Sequence, residues 1–126
     1  MLYNDVEVAR MHYRGMRDLI IHNAGGWKDE QALELMRAFC RRAHATLDDR
    51  SGRSHLAAIE DYAAALWSES DHRRWNRNRL SGADFLRLQI LRQLDRFAER
   101  LTVLEMERSG AMRMAIPQRD RKLPDG

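Results

Sequence analysis

One hundred and twenty-six residues, 44% of them apolar, suffice for one domain with a real core, which excludes both a multidomain enzyme and a wholly disordered chain. The formal net charge of +3 lies in the second half: residues 1–71 hold nine Lys or Arg against twelve Asp or Glu, whereas 72–107 and 108–126 are each net +3. One cysteine, Cys40, excludes an internal disulfide and every multi-cysteine zinc motif, and points to a reducing compartment.

Only Lys28 and Lys122 are lysines among the 22 cationic residues, a bias that fits a GC-rich genome as well as a demand for guanidinium forks. The first residues show no basic run followed by an apolar one, and no stretch approaches the roughly 18 uninterrupted apolar residues of a membrane span. A soluble, cytoplasmic protein without membrane association is expected.

Both prolines, Pro117 and Pro124, lie in the last ten residues, so long helices are permitted before them. Asn4 or Asp5 can cap a first helix whose apolar positions Val6, Ala9, Tyr13, Met16 and Ile20 recur at steps of three and four, with Gly25-Gly26 as its end. Gly15 within it costs about 1 kcal/mol relative to Ala unless a neighbouring helix packs closely there. After Trp27, Asp29 and Glu30 suit the positive end of a second helix with the stripe Ala32, Met36, Phe39, Ala43 and Leu47. Residues 48–52 then read as a turn.

Ser54 opens a third helix with Leu56, Ile59, Ala63 and Leu66 on one side and Tyr62 beside them, running to Ser68–Ser70. The fourth is the clearest. Ser81 with Asp84 resembles a capping box, and Ala83, Leu86, Ile90, Leu94, Phe97, Leu101 and Leu104 follow as a three-heptad seam, widened by Leu91 and Ala98 and stopped at Gly110. No segment alternates as a strand does. The expected fold is all-α: a bundle of about four helices with a long C-terminal helix, as one domain over 1–110, followed by a flexible basic tail over 111–126. An alternative is a three-helix core with the first helix docked or exchanged with another subunit.

The sequence lacks a Gly-rich phosphate loop, a nucleophile elbow, a His-Glu-x-x-His motif and paired carboxylate-x-x-His motifs on separate helices, so a non-enzyme without cofactor or bound metal is expected. Cys40 and His44 lie four residues apart and could converge on a metal or form a nucleophile and base; the alternative is a small buried thiol beside a flank histidine. Asp18 and His22 share that spacing, though His22 also suits the negative end of the first helix. His12, His55 and His72 show no evident partners. The segment Arg73, Arg74, Trp75, Asn76, Arg77, Asn78 and Arg79 combines guanidiniums, amides and an indole, as phosphate contact with base stacking requires. Arg87, Arg92, Arg96 and Arg100 extend that cationic character. The competing reading has these arginines solvating a loop and a helix face, paired with Asp71, Asp95 and Glu99, with Trp75 plugging the bundle end.

The order Ala32-Leu33-Glu34, Leu66-Trp67, Asn78-Arg79-Leu80 and a final helix carrying Ile90 to Thr102 resembles the FlaF family of flagellar biosynthesis regulators. The resemblance spans about three fifths of the chain; Ser81 stands where the family has proline, and a basic C-terminus replaces an acidic one. It implies a non-enzymatic regulator engaging flagellin or its expression and export machinery, with Leu66, Trp67, Asn78 and Leu80 as landmarks.

Three classes of function stay open: a protein-interaction module, a nucleic-acid-binding regulator and a metal- or thiol-dependent enzyme. Interaction leads, because Leu2, Tyr3, Trp27, Trp75, Met106, Met112 and Met114 fall outside the apolar seams and suggest surplus surface for a protein partner or a homodimer. Arg73, Arg74, Trp75, Arg77, Arg79 and Trp67 are the candidate contacts with protein or nucleic acid.

Overall fold

The computed structural model describes residues 4–23, 27, 29–73 and 80–115, with side chains described at 4–23, 27, 29–68, 82 and 84–110. Four helices follow in order: α1 (Asp5–His22), α2 (Glu30–Thr46), α3 (Arg50–Arg73) and α4 (Leu80–Ala115). No strand occurs among the described residues. Each helix packs on its neighbours in the chain and α1 closes on α4, with no diagonal pair of helices in close backbone approach among the described residues, so the helices form a four-membered ring. The first helix is therefore an integral wall of the bundle, packed on α2 and α4 within one chain.

Local chemistry sets the ends of the helices. The Asn4 side chain accepts the Glu7 backbone N–H at 2.8 Å and donates to the Glu7 carboxylate at 2.8 Å, a reciprocal cap that satisfies two polar groups at the start of α1. α1 ends at His22, before Gly25 and Gly26, which lie outside the described residues. Asn23 closes it from a buried position, its side-chain amide donating to the Leu19 carbonyl at 2.7 Å. Asp29 caps α2 by accepting from the Ala32 N–H at 3.0 Å.

The expected turn at 48–52 is instead the beginning of α3. Asp49 accepts the Gly52 N–H on its carboxylate at 2.7 Å and the Arg53 N–H on its carbonyl at 2.9 Å, so the helix begins at Arg50, four residues before Ser54. Arg53 reaches back to donate to the His44 and Leu47 carbonyls at 3.2 and 3.0 Å, satisfying acceptors left over at the end of α2. α3 runs on to Arg73, slightly past Ser70. α4 begins at Leu80, with Ser81 already helical, and continues through Gly110 to Ala115. A helix stop at glycine needs a left-handed backbone; Gly110 is helical and nothing lies within 4 Å of where its Cβ would sit. Residues 111–115, expected in the tail, thus belong to α4, and the rest of that segment lies outside the described residues.

The core follows the predicted stripes with one shift of phase. Val6, Ala9, Met16 and Ile20 of α1, Leu56, Ile59, Ala63 and Leu66 of α3, and Ile90, Leu94, Phe97, Leu101 and Leu104 of α4 are buried as expected. On α2 the buried line is Leu33, Met36, Cys40, Ala43 and Leu47, and the predicted Ala32 and Phe39 sit on its flank. The reason lies at Gly15. A Cβ there would stand 2.6 Å from the tip of the Phe39 ring, so the ring lies on the bare backbone of α1, outside the core centre, and α2 approaches closely. Trp27, expected as surplus surface, is instead 3% exposed, and its indole N–H donates to the Ala63 carbonyl at 2.8 Å. A buried indole needs that partner, and α3 supplies it from 36 residues away.

Ion pairs lace the ring from outside. Arg100 of α4 donates bidentately to Asp49, Nε at 2.9 Å and Nη2 at 2.8 Å, tying α4 to the α2–α3 corner. Arg10 pairs with Glu105 at 2.6 Å, and Arg108 grips Asp5 with both of its terminal nitrogens, closing α1 against α4 in antiparallel sense. Arg100 thus serves packing between helices, where the sequence suggested neighbours on its own helix.

Candidate functional site

Of the predicted contact residues, Arg73 is the last residue of α3, with its side chain outside the described set, and Arg74, Trp75, Arg77 and Arg79 lie outside the described residues altogether. Trp67 is half-buried on α3 and packs against the core, so at least part of its indole serves the bundle. Leu66, the other half of that pair, is fully buried.

The Cys40–His44 pair can be judged on geometry. Cys40 is buried, its thiol donates to the Met16 sulfur at 3.5 Å, and burial, assisted by the Glu60 charge, pushes it up to about 12 against a smaller opposing effect of Arg41. A thiol so placed stays protonated near neutral pH and makes a poor nucleophile or metal ligand. Cys40, Arg41, His44, Leu56, Ala57 and Glu60 line a shallow cleft of about 370 Å³ between α2 and α3, in which Arg41 and Glu60 approach to 3.5 Å. Among the described residues no three His, Cys, Asp or Glu side chains come together as a metal site.

The histidines have structural surroundings. The His22 Nδ1 lies 2.7 Å from the Asp18 backbone oxygen, so the ring serves the end of α1 and is not oriented by the Asp18 carboxylate. His55, for which the sequence suggested no partner, lies 2.9 Å from the Gln93 side-chain oxygen and bridges α3 to α4. His12 leans on the Phe39 ring at 6.1 Å between centroids, and burial, with a contribution from the Arg42 charge, lowers its pKa from the usual 6.5. His72 lies outside the set of described side chains.

The outer side of α4 carries the features that a search for the single best apolar stripe passes over. Phe85 is 58% exposed, Leu88 46%, Val103 41% and Met106 67%. At 100° per residue all four point roughly opposite the buried seam. Between them, in the same sector, stand Arg92, Asp95, Arg96 and Glu99, all exposed. None of these four joins an ion pair among the described residues, in contrast to Arg100 and Arg108 of the same helix. Of the residues proposed as surplus surface, Met106 is thus confirmed as exposed, Trp27 is not, and the side chains of Leu2, Tyr3, Trp75, Met112 and Met114 lie outside the described set. The signal for this face was present as a second apolar spacing out of phase with the seam. No helix among the described residues is long and apolar enough to cross a membrane.

No family model matches the chain, and no curated protein and no solved structure matches it closely enough to carry an argument.

Proposed function

We propose that this chain is a non-enzymatic helical interaction module, working in the cytoplasm, whose contact surface is the outer face of α4. The observation that carries the reading is the exposure of Phe85, Leu88, Val103 and Met106 on one side of a helix whose other side is fully used by the core. Large apolar side chains grouped on one helix face, with charges between them, have the composition of a docking surface. The protonated, buried thiol of Cys40 favours this reading over a thiol-dependent enzyme. The resemblance to the FlaF family puts flagellin and its expression or export machinery first among partners to test.

Nucleic-acid binding is the second reading. It draws on the Arg-rich segment from Arg73 to Arg79 and on Arg92 and Arg96, which are exposed and form no ion pair among the described residues. One experiment separates the two: capture of partners by the tagged chain from a lysate of its source, with and without nuclease. Protein partners that survive nuclease, and are lost with Phe85→Ser and Met106→Ser together, support the interaction module. Loss of every partner on nuclease treatment, with retention that falls steeply as salt rises, would move the function to the arginines.

A further inference from the structure

We propose that the outer face of α4 pairs with the same face of a second copy of this chain, the two helices running antiparallel about a two-fold axis between Asp95 and Arg96. The inference rests on the interaction-module reading and specifies the occupant of that surface. Its basis is the order of residues along the face. Phe85, Arg92, Glu99 and Met106 recur every seven residues, the spacing that keeps one line of a helix against a left-handed partner. Read from either end, the face begins with two apolar residues, continues with a charge, and reaches the same midpoint.

Reversing one copy about that midpoint places each residue against a complement. Phe85 stands level with Met106 of the second copy, and Leu88 level with Val103, so apolar meets apolar at both ends. Arg92 stands level with Glu99 of the second copy, and the symmetry supplies that meeting twice. At the midpoint, Asp95 is level with the other copy's Arg96. A parallel pair would instead set Arg92 against Arg92 and Glu99 against Glu99. The charge order therefore selects the antiparallel sense.

Conditions within one chain point the same way. On α4 alone, Arg92 with Arg96 and Asp95 with Glu99 are like-charge neighbours at i and i+4, offset by the opposite-charge neighbours Arg92 with Asp95 and Arg96 with Glu99 at i and i+3, so the helix by itself gains little from these four charges. None of the four gains a compensating ion pair among the described residues. A second copy brings further opposite charges to the face and covers four exposed apolar side chains. The contact line from Phe85 to Met106 is about 32 Å long at 1.5 Å per residue, enough for a narrow but specific helix pair.

The test is sedimentation equilibrium of the full chain up to about 100 μM, a range in which modest interfaces associate. The native chain is expected to form a dimer. Arg92→Glu alone, or Glu99→Arg alone, sets like charges against each other twice across the axis and is expected to weaken the dimer at least about tenfold. The double exchange R92E with E99R restores opposite charges and is expected to restore association, which a general loss of folding or solubility would not do. All three variants should show the helical circular dichroism of the native chain, because both side chains are exposed. A native chain that stays monomeric overturns the proposal, as does a dimer indifferent to the single reversals or unrescued by the exchange. A monomer that still captures a protein partner after nuclease treatment overturns self-pairing and leaves the interaction module standing. A dimer that obeys the charge exchange yet captures no other protein supports self-pairing and restricts the interaction module to copies of this chain.

Discussion

The inner and outer faces of α4 share one backbone and one set of helix propensities, yet they meet different surroundings. On the inner face, Ile90, Leu94, Phe97 and Leu101 are buried to within 1% and belong to the single core cluster that all four helices feed. On the outer face Phe85 and Met106 are chemically just as apolar and remain more than half exposed. Apolarity along a helix thus marks two kinds of surface, one satisfied by the chain itself and one left for something else. Distinguishing them requires phase, because the seam and the outer sector differ by about half a turn.

Substitutions sharpen that contrast, and the largest effect belongs inside. Phe97→Ala should cost about 3–5 kcal/mol in urea or thermal unfolding, since it removes a fully buried ring at the crowded α3–α4 contact. Phe85→Ala, measured in dilute solution, should change stability by less than about 0.5 kcal/mol. Equal losses at the two positions would mean that the outer face is already covered within the chain.

Asp49→Ala comes next, because it removes the cap of α3, worth about 1 kcal/mol by itself, and also leaves Arg100 without its carboxylate. Its pH dependence has a definite sign. The hydrogen bonds from Arg100 hold the Asp49 carboxyl below the usual 3.8, as those from Arg108 do for Asp5. Both contributions are therefore complete above pH 3.8 and are lost as the pH falls through the lower folded values. His12 adds an earlier stage: its lowered folded pKa makes stability decline as acid approaches from 6.5 downward. Acid titration of the native chain should show both stages. The deficit of Asp49→Ala relative to the native chain should shrink below pH 3.8.

The glycines form the smallest pair. Gly15→Ala should lose about 1 kcal/mol net, the crowding against Phe39 at 2.6 Å outweighing the gain in helix propensity. Gly110→Ala has open space and a helical backbone, so it should gain up to about 1 kcal/mol. Thermal melts of the two variants should move in opposite directions.

Much of this architecture could be read from residue order, because strict steps of three and four from Leu86 to Leu104 admit one helical phase. Where the reading failed, two physical solutions share one composition. Asp48 to Gly52 carries the residues of a turn, but an aspartate that precedes a helix uses the same carboxylate to hold the first free N–H groups. On α2, Ala32 and Phe39 compete with Leu33 and Cys40 for the buried line, and only the bare backbone at Gly15, on another helix, decides between them. Trp27 was misread because its partner, the Ala63 carbonyl, is far away in the chain. Of the candidate contacts, Trp67 was placed by its neighbourhood, while the Arg-rich segment after Arg73 lies largely outside the described residues. The outer face of α4 was hidden by the strength of the seam beside it.

The closure of α1 on α4 also orders events during synthesis. Arg10 meets Glu105 across 95 residues and Asp5 meets Arg108 across 103, so the ring cannot shut until the chain through Arg108 has left the ribosome. At about 5–20 residues per second, the apolar side of α1 waits for seconds with only α2 against it. A chain ended before Glu105 should accordingly bind more of a hydrophobic dye than the 126-residue chain does. α4, made well after α1, is the helix that relieves α1 of its exposure.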